Sequence, residues 1–430
     1  MYKIRFHTLG CKLNFAESSA IAKSLLACGF AAVSGGEPAD VCIINTCTVT
    51  DAADRKGRQA IHRIRRENPD AILIVTGCYS QFKREEVETI DGIDYIVSQE
   101  DKEQIPALVR NIVIDLQRKS GEDTLQSYNQ ETQKKTVSTD LRLSNLGGRT
   151  RYFLKVQDGC DYFCTYCAIP FARGRSRNEP IEKVLSRARE VIDEGYKELV
   201  LTGVNIGDFG KSTGETFINL CRSLDEVSSD VRFRISSCEP NLLSDELIDF
   251  VASSRHFAPH FHIPLQSGSN EILQIMHRRY TRELFRERVE HIRRVMPNAF
   301  IGVDCMVGVR GETAELFEDY RQFVASLDVS QLHVFTYSER EGTRMVSQNL
   351  YIVPSAERRR RSDIMHRLSE EKHRTFCEKH RGEEAVVLWE SKKKNGMMSG
   401  FTENYIKVEC DYDKKKINTF EKIYIEKICT

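Results

Sequence analysis

Short apolar, β-branched runs alternate with amphipathic stretches from residue 3 to about 115, the pattern of a β/α unit built on a parallel sheet. Lys3 to Thr8, Val41 to Asn45 and Ala71 to Thr76 read as strands, and Phe15 to Cys28 and Asp51 to Glu67 as helices. Polar residues then dominate from about Ile114 to Arg149, so 116–149 is expected to be a linker between a first domain, 1–115, and a second. The alternation resumes in Leu154 to Gln157, Glu198 to Thr202, Phe233 to Ser236, His260 to Pro264, Phe300 to Val307 and Gln331 to Thr336. Six strands with intervening helices predict a partial or complete β/α barrel over 150–370, with its chemistry at the strand C-termini. Glu357 to Arg374 reads as a charged helix leading outward, its arginines Arg358 to Arg361 a solvated face. The tail, 371–430, has short alternating runs (Ala385 to Trp389, Tyr405 to Val408, Phe420 to Ile428) parted by Gly and Lys turns, and predicts a small β-barrel.

Cysteine changes the picture. Each N-terminal strand is followed within a residue or two by one, at Cys11, Cys47 and Cys78, and the carboxyl ends of parallel strands open on one rim. Buried cysteine often acts as a small hydrophobe, but three at the same place relative to a strand end form a candidate ligand set. Cys160-Asp161-Tyr162-Phe163-Cys164-Thr165-Tyr166-Cys167 follows the first barrel strand, a C-x3-C-x2-C loop with no further Cys or His in the next dozen residues. Structural zinc wants four closed ligands, whereas three thiolates can hold a [4Fe–4S] cube and leave one iron open. Tyr166 can pack on a nucleobase such as adenine, or be a plain loop aromatic. Cys28, Cys42, Cys221, Cys238, Cys305, Cys377, Cys410 and Cys429 lack ligand-like spacing and read as packing or surface thiols, with Cys42 in the core.

The 430 residues include 14 cysteines and carry 63 Lys+Arg against 63 Asp+Glu, a balance that argues against a generally polyanion-coating protein. Any nucleic-acid contact must come from patches. There is no N-terminal apolar signal region and no run of ~18 apolar residues, so a cytoplasmic protein with no membrane partner is expected, in a compartment where cysteines favour metal or redox chemistry over disulfides. The tail lysines Lys392 to Lys394 and Lys414 to Lys416 border aromatic positions (Phe401, Tyr405, Tyr412, Phe420, Tyr424), a mixture suited to phosphate attraction and base stacking.

The cysteine loop resembles that of the radical S-adenosylmethionine enzymes. Its surroundings, Val156-Gln157-Asp158-Gly159-Cys160 through Ala168-Ile169-Pro170-Phe171-Ala172-Arg173-Gly174-Arg175-Ser176-Arg177, resemble the methylthiotransferases. So do Leu9-Gly10-Cys11-Lys12-Leu13-Asn14 with Glu17-Ser18, Asn45-Thr46-Cys47-Thr48-Val49, Thr76-Gly77-Cys78, Ser236-Ser237-Cys238-Glu239-Pro240, His262-Ile263-Pro264-Leu265-Gln266-Ser267-Gly268-Ser269 and Met276-His277-Arg278-Arg279-Tyr280. The likeness spans nearly the whole chain. It implies a flavodoxin-like N-terminal parallel sheet, a radical S-adenosylmethionine partial (β/α)6 barrel and a C-terminal TRAM RNA-binding barrel, to which Phe401 to Val408 is similar.

By resemblance, Cys160, Cys164 and Cys167 hold a [4Fe–4S] cluster that chelates S-adenosylmethionine and cleaves it to a 5′-deoxyadenosyl radical, while Cys11, Cys47 and Cys78 hold a second [4Fe–4S] cluster that delivers sulfur. Gly203 and Asn205, in a loop that on sequence alone only permits close backbone approach, would lie near S-adenosylmethionine, as would Tyr166, Ser236, Glu239 and Gln266. The implied reaction replaces an aromatic C–H by C–S–CH3, which acid–base side chains alone cannot do. The substrate type most resembled is threonylcarbamoyl-adenosine at position 37 of tRNA, whose carboxylate suits Arg173 or Arg175; either arginine can equally make a phosphate or structural contact. A reductant such as flavodoxin or ferredoxin is implied, and the sulfur donor is left open. Alternatives are the same chemistry on isopentenyl-adenosine or on a ribosomal-protein aspartate and, more distantly, a non-catalytic RNA-binding protein with zinc sites. Gly308-Val309-Arg310-Gly311-Glu312-Thr313 departs from the family's Gly-Phe-Pro-Gly-Glu-Thr, which puts that loop's shape in question.

Overall fold

The architecture is that of a computed structural model, which describes residues 1–34, 36–120, 150–227 and 230–426. The chain divides into two compact units: the N-terminal region together with the short segment Phe171–Gly174, and the remainder.

The first unit is a five-stranded parallel sheet in the order β2-β1-β3-β4-β5, formed by β1 (Lys3–Thr8), β2 (Ala31–Ala32), β3 (Val41–Thr46), β4 (Ile72–Gly77) and β5 (Tyr95–Ile96). Every residue of the central strand β3 is buried, as expected where both faces of a parallel sheet are covered. Val41 and Ile43 pack on one face with Ile4, Ile21 and Val109, and Cys42 and Ile44 on the other with Ile61 and Val75. Cys42 is therefore core, as its sequence position indicates. The helix Lys12–Ala27 starts three residues earlier than the apolar pattern suggests. The helix Asp51–Glu67 starts where expected, because the Thr50 hydroxyl accepts from the Ala53 N–H at 3.2 Å, with Asp51 and Asp54 in its first turn and Arg65 and Arg66 in its last. The helix Ile105–Ser120 occupies the first residues of the expected linker; the rest of that linker, 121–149, lies outside the described residues.

In the second unit β6 (Arg151–Lys155), β7 (Glu198–Thr202) and β8 (Arg232–Ile235) form one parallel sheet, and β9 (His260–Gln266), β10 (Phe300–Val307) and β11 (Gln331–Thr336) another. A parallel bridge between Ser237 and His262 joins them, so the six strands follow chain order as a partial barrel. The tail is an antiparallel sheet, order β14-β13-β12-β15, of β12 (Glu384–Lys394), β13 (Met397–Phe401), β14 (Lys407–Asp411) and β15 (Phe420–Tyr424). The register shift between Trp389 and Lys393 marks a bulge, the device that bends a strand toward a small barrel. Strand β13 is absent from the sequence expectation because Met397-Met398-Ser399-Gly400 carries no β-branched residue. The end of the last expected run and Cys429 fall outside the described residues.

The two rims of the barrel do different work. At the N-terminal rim Glu198 is fully buried, 3.0 Å from Arg234 and 3.2 Å from Arg232, and these arginines also donate to tail carbonyls, Arg232 to Val386 at 2.8 Å and Arg234 to Glu403 at 3.1 Å. Burial would raise the Glu198 carboxyl, but Arg234 and Arg232 overcome it and hold it down to about 2. Three aromatic residues expected on an RNA face belong to this rim instead, Phe420 lying beneath the Arg232 guanidinium. Tyr405 packs against His260 and Phe300 with Arg234 over its ring, and Phe401 stacks on Tyr405 beneath Arg151.

The solvated face expected for Arg358 to Arg361 is also corrected. The helix Ser355–Lys379 turns Arg361 inward, 2% exposed, onto the fully buried Glu312 at 2.7 Å, and Arg358 onto Glu339 at 2.9 Å. Only Arg359 and Arg360 stay exposed, because residues three apart share a helix face. Glu312 also accepts from the Gly308 N–H at 2.9 Å, which pins the unusual Gly308–Thr313 loop. There Val309 is buried with Ile272, Met276 and Met345, while Arg310 reaches Glu339 at 3.0 Å and the Val346 carbonyl at 2.9 Å. An ion pair and carbonyl contacts thus anchor a loop that an aromatic–proline pair would otherwise stiffen. Among the described residues no helix is long and apolar enough to cross a membrane.

Candidate metal centres

The first unit brings its three strand-end cysteines to one rim. Cys11 is the N-cap of Lys12–Ala27, Cys47 succeeds β3, and Cys78 opens the short helix Cys78–Phe82. Gly10, at φ +99°, makes room: a Cβ there would stand 2.6 Å from the Cys47 Cβ and 2.8 Å from its Sγ. Cys47 feels the thiols of Cys11 and Cys78, and Cys78 feels that of Cys11. Burial pushes Cys47 up to about 11 and Cys78 upward as well, Arg173 opposing the rise at both and Lys102 at Cys78. Beneath them lies a buried polar network. Asn14 donates to the carbonyls of Leu9 at 2.8 Å and Thr46 at 2.9 Å, tying two cysteine loops together. Glu17 accepts from Lys102 Nζ at 2.7 Å and from Arg173 Nη1 at 2.9 Å, and Arg173 Nε stands 3.2 Å from Cys78 Sγ.

This overturns one reading of Arg173. It is 3% exposed and bound to Glu17, Asn14 and Cys78, so it is committed to the thiol site and is not a substrate-carboxylate contact. Arg175, two residues on, has a side chain 76% exposed, with Asp161 at 3.6 Å and its guanidinium over the Phe163 ring. Lys102 was invisible in the sequence: it lies 85 residues from Glu17 in no motif, and only the folded sheet joins them.

In the second unit the Cys160–Cys167 loop succeeds β6 at the C-terminal rim. Its Phe163 sits at φ +50°, and two further non-glycine residues of the site, Gln266 at +63° and His277 at +56°, share that left-handed backbone. Strain of this kind persists where surroundings fix it and clusters at functional sites. The Tyr162 N–H donates to Cys160 Sγ at 3.4 Å, and Arg278 Nη1 donates to Cys164 Sγ at 3.1 Å. Arg278 also pairs with Glu239 and donates to the hydroxyls of Tyr280 at 3.0 Å and Tyr166 at 3.4 Å. Burial pushes Cys160 up to about 12 and raises Cys164, where Arg278 opposes it; Cys167 is raised too, by burial and then by the neighbouring Cys164.

Of the residues expected near S-adenosylmethionine, Gly203 is held close against Gln157. A Cβ on it would meet Gln157 Oε1 at 2.8 Å; that oxygen accepts from the Val204 and Asn205 N–H groups at 2.9 Å each, which shapes the loop. Asn205 is buried beside Tyr162, and neither of its amide atoms reaches hydrogen-bonding geometry. Among the described residues Gln266 Oε1 and Asp208 Oδ2 are likewise buried without a partner. Ser236 is buried at the end of β8, its N–H donating to the Leu201 carbonyl at 3.3 Å. Tyr166 is partly buried against the apolar cluster around Met276 and Val309, its hydroxyl on Arg278. Orphaned buried polar atoms call for a polar guest, since each otherwise costs about 1–3 kcal/mol. Arg278 and Asp208 were missed as site residues, because a basic run and an isolated aspartate look like ordinary surface charge.

Among the described residues no three His, Cys, Asp or Glu side chains already stand at metal-holding spacing. The fit of each trio to a three-thiolate cluster rests on its donor chemistry and on the cation held against one of its sulfurs, Arg173 at Cys78 and Arg278 at Cys164. Residues 3–98 match the profile of uncharacterized protein family UPF0004, and residues 154–324 that of the radical SAM superfamily. The chain is 35% identical over 436 residues to the threonylcarbamoyladenosine tRNA methylthiotransferase MtaB of Bacillus subtilis (strain 168), covering 99% of this chain and 94% of that one. The chain belongs to the radical S-adenosylmethionine methylthiotransferase family.

Other methylthiotransferase relatives include MtaB of Aquifex aeolicus (strain VF5), 34% identical with 95% of this chain and 96% of that one covered. A tRNA-2-methylthio-N(6)-dimethylallyladenosine synthase of Parabacteroides distasonis is 31% identical, with 99% and 93% covered. The radical S-adenosylmethionine methyltransferase TsrM of Kitasatospora setae, solved with cobalamin and a [4Fe-4S] cluster, shares the fold at a TM-score of 0.58, 17% identity and coverage of 80% of this chain and 77% of that one.

Proposed function

We propose that this methylthiotransferase installs a methylthio group at C2 of N6-threonylcarbamoyladenosine at position 37 of tRNA. The observation that carries the reading is the pair of three-cysteine sites, one in each unit, in a chain matching curated threonylcarbamoyladenosine tRNA methylthiotransferases over nearly its full length. When bound, a cluster at Cys160, Cys164 and Cys167 supplies reductive cleavage of S-adenosylmethionine, and one at Cys11, Cys47 and Cys78 supplies a place to hold transferable sulfur. The chain's own residues do the rest. Gln157 and Gly203 shape the loop that turns Asn205 inward, and Asn205, Asp208 and Gln266 offer polar atoms to the methionine and ribose groups of the cofactor. Arg278, held in place by Glu239, excludes water from Cys164 and holds its thiolate, and Tyr166 gives an aromatic edge beside it. Arg175, exposed and stacked on Phe163, is the cation that meets the substrate carboxylate.

The tail is read as a TRAM-type RNA-binding domain whose exposed Lys392 to Lys394 and Lys414 and Lys415 attract tRNA phosphates, with Tyr412, under Lys393, and Tyr424 as the aromatic positions free of the barrel rim. The protein works in the cytoplasm with a one-electron donor of flavodoxin or ferredoxin type. Nucleoside mass spectrometry of tRNA from a strain lacking this protein tests the reading. Loss of 2-methylthio-threonylcarbamoyladenosine, restored by the wild type and not by Cys164→Ala, is expected. Its persistence, or loss of 2-methylthio-isopentenyladenosine instead, would overturn the substrate assignment.

A further inference from the structure

The helix Asp51–Glu67, which begins shortly after Cys47, sorts its basic residues onto two faces. Inward, Arg58 pairs with Glu86 and donates to the Tyr79 hydroxyl at 3.1 Å. Arg65 pairs with Asp94 and donates to the carbonyls of Gly92 at 2.8 Å and Ala71 at 2.7 Å. With Asp54 accepting from the Thr48 hydroxyl at 2.8 Å, these contacts fix the helix in its unit. Outward, Arg55, Gln59, His62 and Arg66 form one exposed stripe, and Lys56 and Arg63 lie exposed in the next, since residues three and four apart share a helix face. Arg55, Lys56 and Arg66 meet no hydrogen-bonding or ion-pair partner among the described residues. Arg63 stands 3.4 Å from His7 Nε2 and 3.8 Å from Glu67, a carboxylate that also takes Arg5 at 2.9 Å. The acids of the helix lie at its ends, Asp51 and Glu67, or are buried, Asp54, so the outward face is positive along its length.

From Arg55 to Arg66 these cations run over about 16 Å of helix. No large apolar side chain of the helix is exposed among them. Protein interfaces centre on buried aromatic and aliphatic anchors and are poor in lysine, whereas the phosphates of a nucleic-acid strand ask for charge at intervals and no apolar centre. The thiols proposed to hold the transferable sulfur lie in the same unit as this helix, so an RNA substrate must come to that unit.

We propose that the outward face of the helix Asp51–Glu67 is a phosphate-binding surface for the tRNA backbone, with Arg55, Lys56, Arg63 and Arg66 as its cations. The proposal rests on the RNA substrate proposed above. Contacts of this kind supply affinity and fix the position of the strand without reading its bases. They give the N-terminal unit a hold on RNA of its own, in addition to the tail lysines.

The test is binding of the full-length protein to a synthetic anticodon stem-loop, read by fluorescence anisotropy over a range of KCl concentrations. Arg55→Gln/Lys56→Gln/Arg66→Gln is expected to weaken binding about tenfold or more at low salt. It should also make the plot of log affinity against log salt shallower by about 2, because each phosphate contact contributes nearly one unit of slope. The loss should be equal for stem-loops carrying adenosine or N6-threonylcarbamoyladenosine at position 37. Arg55→Lys/Arg66→Lys, which keeps the charge, should retain the wild-type slope. Iron content and 5′-deoxyadenosine formation without RNA should not change in any of these variants. Arg65→Gln, on the inner face, should lower the melting temperature and leave the slope alone. An unchanged slope in the triple variant overturns the proposal, as does a loss confined to the threonylcarbamoylated stem-loop. Intact RNA affinity with slower electron delivery from an acidic donor protein would assign the face to a protein and overturn it equally. If tRNA binds with the expected salt dependence yet carries no methylthio group after reaction, the substrate assignment fails and the phosphate surface stands.

Discussion

The N-terminal and central cysteine sites reach the same donor count by opposite routes. The first collects Cys11, Cys47 and Cys78 from three strand ends spread over nearly seventy residues of sequence, and needs Asn14 to tie the loops of Leu9 and Thr46 together. The second takes all three thiols from the single loop Cys160–Cys167, and depends on strained backbone at Phe163, Gln266 and His277 and on Arg278 to hold it. A site assembled from separate strands is as rigid as its sheet; a site on one loop is as rigid as the side chains that clamp it. The difference teaches where each is vulnerable: the first to loss of its buried network, the second to loss of a clamp.

The sharpest way to break the comparison is to remove one thiol from each. Cys164→Ala should abolish 5′-deoxyadenosine formation while leaving iron at the N-terminal site. Cys47→Ala should still cleave S-adenosylmethionine and yield no thiolated tRNA. Chromatographic assay of deoxyadenosine beside nucleoside mass spectrometry reads both. Arg278→Met comes next. It strands Glu239, whose carboxyl burial already raises and Arg278 brings back, as an uncompensated buried acid, and should cost about 3–5 kcal/mol in denaturant unfolding together with loss of iron from the central site only.

The opposite rim supplies a pH test. Burial would raise Glu198, but Arg234 and Arg232 hold it down to about 2, below its ordinary 4.5. A depressed folded value means that its stabilisation is fully present above the ordinary carboxylate range and is lost as pH falls toward 2. Glu198→Gln should therefore lose on the order of 3 kcal/mol at neutral pH and show a flatter decline of melting temperature between pH 5 and pH 3 than wild type. The smallest effect belongs to the exposed Arg175. Arg175→Gln should leave stability within about 0.5 kcal/mol and raise the KM for tRNA up to about fivefold, with S-adenosylmethionine cleavage unchanged.

Much of the fold was legible because its signals are local. The β-branched runs placed six barrel strands in order, and the cysteines stood where strand ends or a tight loop put them. What escaped was long-range. Arg173 meets Glu17 across 156 residues and Lys102 meets it across 85, so no spacing rule joins them. Phe401 and Tyr405 read as base-stacking aromatics because composition reports residue type and not the neighbour it finds, here Arg151, His260 and Phe300. Arg361 read as solvated for the same reason: a run of four arginines conceals that Arg358 and Arg361, one turn of helix apart, face inward to Glu339 and Glu312 while Arg359 and Arg360 between them face solvent. Strand β13 escaped because Met397-Met398-Ser399-Gly400 lacks β propensity and is held by its antiparallel neighbours β12 and β14.

The most direct test is iron and acid-labile sulfide analysis of anaerobically purified wild type beside the Cys11/Cys47/Cys78 and Cys160/Cys164/Cys167 triple-alanine variants. Two independent three-thiolate clusters predict about eight irons and eight sulfides per chain in the wild type and about four of each in either variant. A colourless, zinc-loaded wild type, or loss of all iron from one triple variant while the other keeps the full wild-type content, would contradict it.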